Sequence, residues 1–167
     1  MKYKNALISI LFSALALAGL IWFARADKAG TVKQDPTATV LSALIAPETS
    51  YDFGLVSMAK GTVEKIFKIK NTDSTTAVIE KISTSCMCTE ASLIKSGREV
   101  GPFGMPGHGF IPKINESLAP GEEAEIKVVF DPAAHGPAGV GFIERIVYIE
   151  ERDRLPLELK IRATVTP

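Results

Sequence analysis

Both cysteines of this 167-residue chain fall in "TSCMCTEAS", Thr84 to Ser92, with Met87 alone between Cys86 and Cys88. A cysteine sulfur serves as a soft metal ligand, a redox centre or a small hydrophobe. On a regular strand, residues i and i+2 point to one face with Cα atoms about 6.6 Å apart, the upper edge of what a disulfide spans. The same side-by-side placement lets two thiolates grip one soft ion. Three readings stay open: a metal site, a disulfide helped by an oxidising compartment and a turn at Met87, or inert packing.

The two histidines of the chain both lie in loops dense in Gly and Pro. His108 sits in "GPFGMPGHGF", Gly101 to Phe110, and His135 in "DPAAHGPAGVG", Asp131 to Gly141. Packing does not call for an imidazole in such places. Met105, three residues before His108, adds a thioether. A ligand set of Cys86, Cys88, His108 and His135 with Met105 nearby suits copper, as Cu(I), or zinc. The order is not that of a cupredoxin, where Cys, His and Met share one short loop late in the chain.

Other reactive arrangements are missing from the sequence. No G-x-S-x-G elbow is present for serine hydrolysis. The cysteine spacing is C-x-C, and its neighbours read as strand, not as the helix N-terminus that activates a C-x-x-C thiol. The chain is therefore expected not to be an enzyme, and to have either no cofactor or copper or zinc.

The elements that must position these residues show a period of two. In "TVEKIFKIKN", Val63, Lys65, Phe67 and Ile69 share a face opposite Glu64, Ile66, Lys68 and Lys70. In "AEIKVVF", Ala124, Ile126, Val128 and Phe130 lie together, and Leu155, Leu157, Leu159, Ile161, Ala163 and Val165 repeat the pattern at the end. Strict alternation marks half-buried antiparallel strands. Further strands are expected at 76–83 and 141–150, with turns at Asn71, Pro120–Gly121 and Asp153. Together these predict a β-sandwich. If 76–83 runs up, 88–94 down and 122–130 up, His135 returns to the end of the sandwich that carries Cys86. Phe53, Phe67, Phe130 and Phe142 are assigned to the core. Glu144, Arg145, Glu150, Glu151, Arg152, Asp153 and Arg154 are assigned to solvated strand edges and turns.

From Ala6 to Ala24 the chain is free of charge, after Lys2 and Lys4. Nineteen helical residues reach about 30 Å, the thickness of a bilayer core. Trp22 and Phe23 suit the far interface, and the basic start places Met1 in the cytoplasm and the rest outside. "ARAD" offers a signal-peptidase site after Ala26, but the apolar run exceeds the usual length for cleavage and favours a retained anchor. The expected location is the cell membrane, single-pass, with the C-terminal domain extracytoplasmic, or secreted or periplasmic if cleaved. Nineteen basic against nineteen acidic residues exclude the basic excess that nucleic acid binding needs. The expected organisation is an anchor or signal segment at 1–26, a tether at 27–47 and one domain at 48–167, with an insert at about 95–119 lacking sustained alternation.

With these residues placed, the chain resembles a bacterial family of exported domains, domain of unknown function 1573. The matching pieces are "YDFG" at 51–54, "FKIKNTDS" at 67–74, "SCMCT" at 85–89 and "APGEEAEIKVVFDP" at 119–132. The family is related to the immunoglobulin-like sandwiches of the major sperm protein and ASPM, SPD-2, Hydin type. The resemblance implies an all-β, immunoglobulin-like antiparallel sandwich of about seven strands behind an N-terminal transmembrane helix, without established enzymatic activity. The long Gly101–Pro112 insert, and Met87 where the family commonly has glycine, depart from its pattern. The reading reached is a membrane-anchored, non-catalytic binding or assembly module of unknown partner, with the membrane and a protein as candidates, and the alternative is a copper- or zinc-binding domain. A thiol-disulfide partner protein is the third.

Overall fold

The computed structural model describes residues 40–107 and 109–167. The expected membrane span, the first part of the tether and His108 lie outside the described residues. Among the described residues no helix is long and apolar enough to cross a membrane.

Among the described residues, ten strands form two five-stranded sheets packed face to face. They are β1 (Leu44–Ile45), β2 (Ser50–Ser57), β3 (Val63–Asn71), β4 (Ala77–Thr84) and β5 (Thr89–Lys95). The rest are β6 (Arg98–Phe103), β7 (Glu116–Leu118), β8 (Glu123–Phe130), β9 (Gly141–Glu151) and β10 (Leu157–Thr166). One sheet runs β1-β3-β8-β5-β6 and the other β2-β10-β9-β4-β7. The six strand segments placed from the sequence are all present, as β3, β4, β5, β8, β9 and β10. The other four are β1, in the stretch read as tether, β2, at the start of the domain, and β6 and β7, in the stretch read as an insert.

One pairing corrects the antiparallel expectation. β2 lies parallel to β10, with Tyr51 opposite Ile161 and Val56 opposite Val165. Parallel neighbours need a long crossover, and here most of the domain supplies it.

The alternation delivers the core as expected. Phe67 and Ile69 of β3, Ile126 and Val128 of β8, and Leu159 and Ile161 of β10 are all buried. Each such side chain contributes roughly 1.5–3 kcal/mol through removal from water. Ile66, on the opposite phase of β3, is exposed.

The exceptions are Leu155, which precedes β10 and is exposed against its inward assignment, and several residues of β9. The inward phase of β9 is set by Ile143, Val147 and Ile149, so Phe142 faces out and is 68% exposed, against its assignment to the core. Arg145 and Glu151 share the inward phase, against their assignment to solvated edges, and β9 is a central strand. Glu151 is only 6% exposed. Its carboxylate accepts the Ala43 N–H at 3.1 and 3.2 Å and the Ser42 hydroxyl, fastening the chain just before β1. Ala43 and Leu44 are buried beside it, so the packed domain includes residues ahead of position 48.

Candidate metal centre

The turn from Ser85 to Cys88 joins β4 to β5 across the two sheets, at one end of the sandwich. Ser85 ties it to β9 twice: its N–H donates to the Ile146 carbonyl, and its hydroxyl accepts the Ile146 N–H, both at 2.9 Å. The Thr89 N–H returns to the Cys86 carbonyl at 3.1 Å and closes the turn. The buried Thr84 hydroxyl spans the Cys86 and Thr89 carbonyls at 3.0 and 2.9 Å. The cysteines thus sit on a braced tight turn, not on a regular strand. Both are buried and their thiols are free.

The second loop approaches from the end of β8. The Asp131 N–H donates to the Cys88 carbonyl at 2.9 Å, which docks this loop on the cysteine turn. The Asp131 carboxylate accepts the Ala133 N–H at 2.8 Å, and Gly136 N–H bonds the Ala133 carbonyl at 2.8 Å. That winding lifts His135 over the turn, and its Nε2 lies 3.2 Å from the Cys86 sulfur. Gly139 lies so close that a Cβ there would sit 3.2 Å from the His135 Cβ. The ligand atoms of Cys86, Cys88 and His135 all lie within 4.8 Å of one another. The strand-direction argument brought His135 to this end, and the geometry agrees. Met105 lines a surface cleft together with Met87, the residue between the cysteines. His108 is outside the described residues.

Arg145 is the member that sequence reasoning missed. Its Nε donates to the Cys88 sulfur at 3.3 Å, and its Nη1 to the Glu144 carbonyl at 2.8 Å. The signal was an arginine on the aliphatic phase of β9, between Ile143 and Val147.

The two thiols are made unequal. Burial pushes the Cys86 thiol up, but hydrogen bonds with Cys88 and His135, the Cys88 amide and the Arg145 charge outweigh it and leave the pKa at about 7. Burial, then the Cys86 sulfur beside it, pushes the Cys88 thiol up instead. Such a turn can hold a soft ion between two sulfurs and an imidazole, or present one reactive thiolate.

The class defined by these features is an all-β sandwich carrying a Cys–Cys–His cluster at one end. Residues 44–103 match the family described as "Protein of unknown function (DUF1573)", the family that the sequence resembles. The match takes in Cys86 and Cys88 and ends before Met105, His108, His135 and Arg145. A protein of unknown function from Porphyromonas gingivalis W83 is similar in structure, with a TM-score of 0.54 and 15% identity, over 77% of this chain and 49% of that one. A family 123 glycoside hydrolase from Clostridium perfringens gives 0.50 and 6%, over 70% of this chain and 22% of that one. The ASH / PapD-like domain 7 of human CEP192 gives 0.47 and 10%, over 83% and 96%. The chain thus spans about half of the Porphyromonas protein and about a fifth of the hydrolase. At such identities the first two likenesses show the fold and nothing more. No curated protein matches the chain.

Proposed function

We propose that this chain is a membrane-anchored, extracytoplasmic and non-catalytic binding module whose centre takes one soft transition-metal ion, copper or zinc. The observation that carries the reading is the convergence of Cys86, Cys88 and His135 within 4.8 Å, from two loops far apart in sequence. Thiolate and imidazole are the donors such ions prefer, and bond lengths of about 2.0–2.3 Å fit inside a triangle of that size after small adjustments. The buried sulfurs and exposed imidazole leave one open side, toward solvent or a protein partner. The full chain, purified reduced in detergent, is expected to take up about one Cu(I) or Zn(II). Cys88→Ser should abolish tight uptake and His135→Ala should weaken it. Uptake unchanged in Cys88→Ser would remove the reading.

A second reading, a thiol-disulfide partner protein, is favoured by the Cys86 pKa of about 7. It predicts that Cys88→Ser traps a mixed disulfide through Cys86 in the native compartment, whereas a metal site predicts no trapped partner.

A further inference from the structure

Metal ligation alone does not explain Arg145. The residue stands on the inward phase of a central strand, where its neighbours are Ile143 and Val147. One nitrogen is fixed to a backbone carbonyl and another points at the Cys88 sulfur. Among the described residues no carboxylate pairs with it, and its hydrogen bonds go to the Cys88 sulfur and the Glu144 carbonyl. The adjacent carboxylate, Glu144, is committed elsewhere, to Arg162 at 2.8 Å and Lys160 at 3.2 Å. Asp131 and Glu90 line a surface cleft beside Cys88, where water screens them. A half-buried cation without a carboxylate needs its counter-charge from somewhere.

We propose that the centre is selective for Cu(I) over Zn(II), and that Arg145 supplies the charge that makes it so. The inference rests on the metal-binding reading of the cysteine turn. The charge balance decides the ion. On binding, Cys86 and Cys88 each release a proton to solvent, and His135 ligates as a neutral imidazole. Two thiolates and one Cu(I) carry a net charge of −1, which the guanidinium cancels. Two thiolates and one Zn(II) are already neutral, and the guanidinium then remains as an uncompensated positive charge beside the metal.

The test compares two metals across three proteins. Cu(I) and Zn(II) affinities of the reduced full chain are measured by competition with chromophoric chelators, for wild type, Arg145→Gln and Arg145→Lys. Loss of the charge in Arg145→Gln is expected to weaken Cu(I) about tenfold or more, given an interaction at this range in a partly buried setting. Zn(II) affinity should hold or rise, and Arg145→Lys should keep most of the Cu(I) affinity. Should Arg145→Gln not fold, Arg145→Met reads the same loss of charge with a different side chain. Equal weakening of both metals would reduce Arg145 to a structural role and overturn the selectivity, as would no change in either. A wild-type chain that binds neither metal overturns the site itself. One that binds both, with a ratio indifferent to the charge at 145, overturns only this inference.

Discussion

The Cys86 sulfur and the His135 Nε2 lie 3.2 Å apart although 49 residues separate them in sequence. Two local turns achieve this. The Thr84 hydroxyl and the Thr89 amide pull the cysteine segment into a compact bend, and the Asp131 amide docks the histidine loop on the Cys88 carbonyl. The contact is therefore set by hydrogen bonds that the two side chains do not make, and a side-chain substitution in the pair should leave the turns in place.

That independence gives the first prediction. The thiolate is the reactive form, so alkylation of Cys86 by iodoacetamide in the metal-free chain should accelerate as pH rises through about 7. Cys88, whose thiol is pushed up, should lag and require more alkaline solution. His135→Ala removes one of the hydrogen bonds that hold Cys86 down, so the midpoint should move toward the ordinary 9.0. Peptide mass spectrometry resolves the two cysteines. A wild-type Cys86 midpoint near 9 would show that the turn does not activate it.

The core gives the second. Leu159 is fully buried and pairs across β9 with Val147, while the neighbouring Lys160 reaches Glu144 near the surface. Leu159→Ala should destabilise by about 2–5 kcal/mol in urea unfolding, and Lys160→Ala should stay within about 0.5 kcal/mol. Equal effects would mean that the inward phase of β10 is misplaced.

The third concerns the uncharged run Ala6–Ala24 behind Lys2 and Lys4. A reporter fused after Pro167 should be active only outside the cytoplasm. Cytoplasmic activity would sink the anchored, extracytoplasmic reading. A mature N-terminus at Asp27 would instead show cleavage, with export intact.

Six strands and most of the core were legible because alternation has a physical cause: one face of each strand meets the opposite sheet. What escaped has equally definite causes. β1 has two residues and β7 three, too short to show a period, and β6 is interrupted by Gly101 and Pro102. The β2–β10 pairing joins distant segments, and no local pattern encodes it. The site divides similarly. Cys86, Cys88 and His135 could be brought together by counting strand directions. Arg145 and Glu151 could not be placed from residue type, which assigns them to solvent. Their phase was the usable signal: both fall in step with Ile143, Val147 and Ile149, and so does Phe142 fall out of step. In a central strand, phase outranks polarity.

Glu151 turns that rule into the last prediction. Its buried carboxylate is the acceptor for the Ala43 amide, 108 residues away, and for the Ser42 hydroxyl. Those residues lead into β1, whose Leu44 pairs with Asn71 of β3. Removing the carboxylate leaves a buried N–H without its acceptor, at a cost of about 1–3 kcal/mol. Glu151→Ala should lower unfolding stability by that amount and speed hydrogen exchange at Ala43 and Leu44 before anywhere else. Glu151→Gln keeps an oxygen acceptor but loses the charge-assisted strength, so its effect should fall between wild type and Glu151→Ala. The Cys86 alkylation profile should not change in either variant, because Glu151 ends β9 about 20 Å of strand beyond Arg145. If both variants match wild type in stability and exchange, the carboxylate does not hold the start of the domain, and the burial of Leu44 alone secures β1.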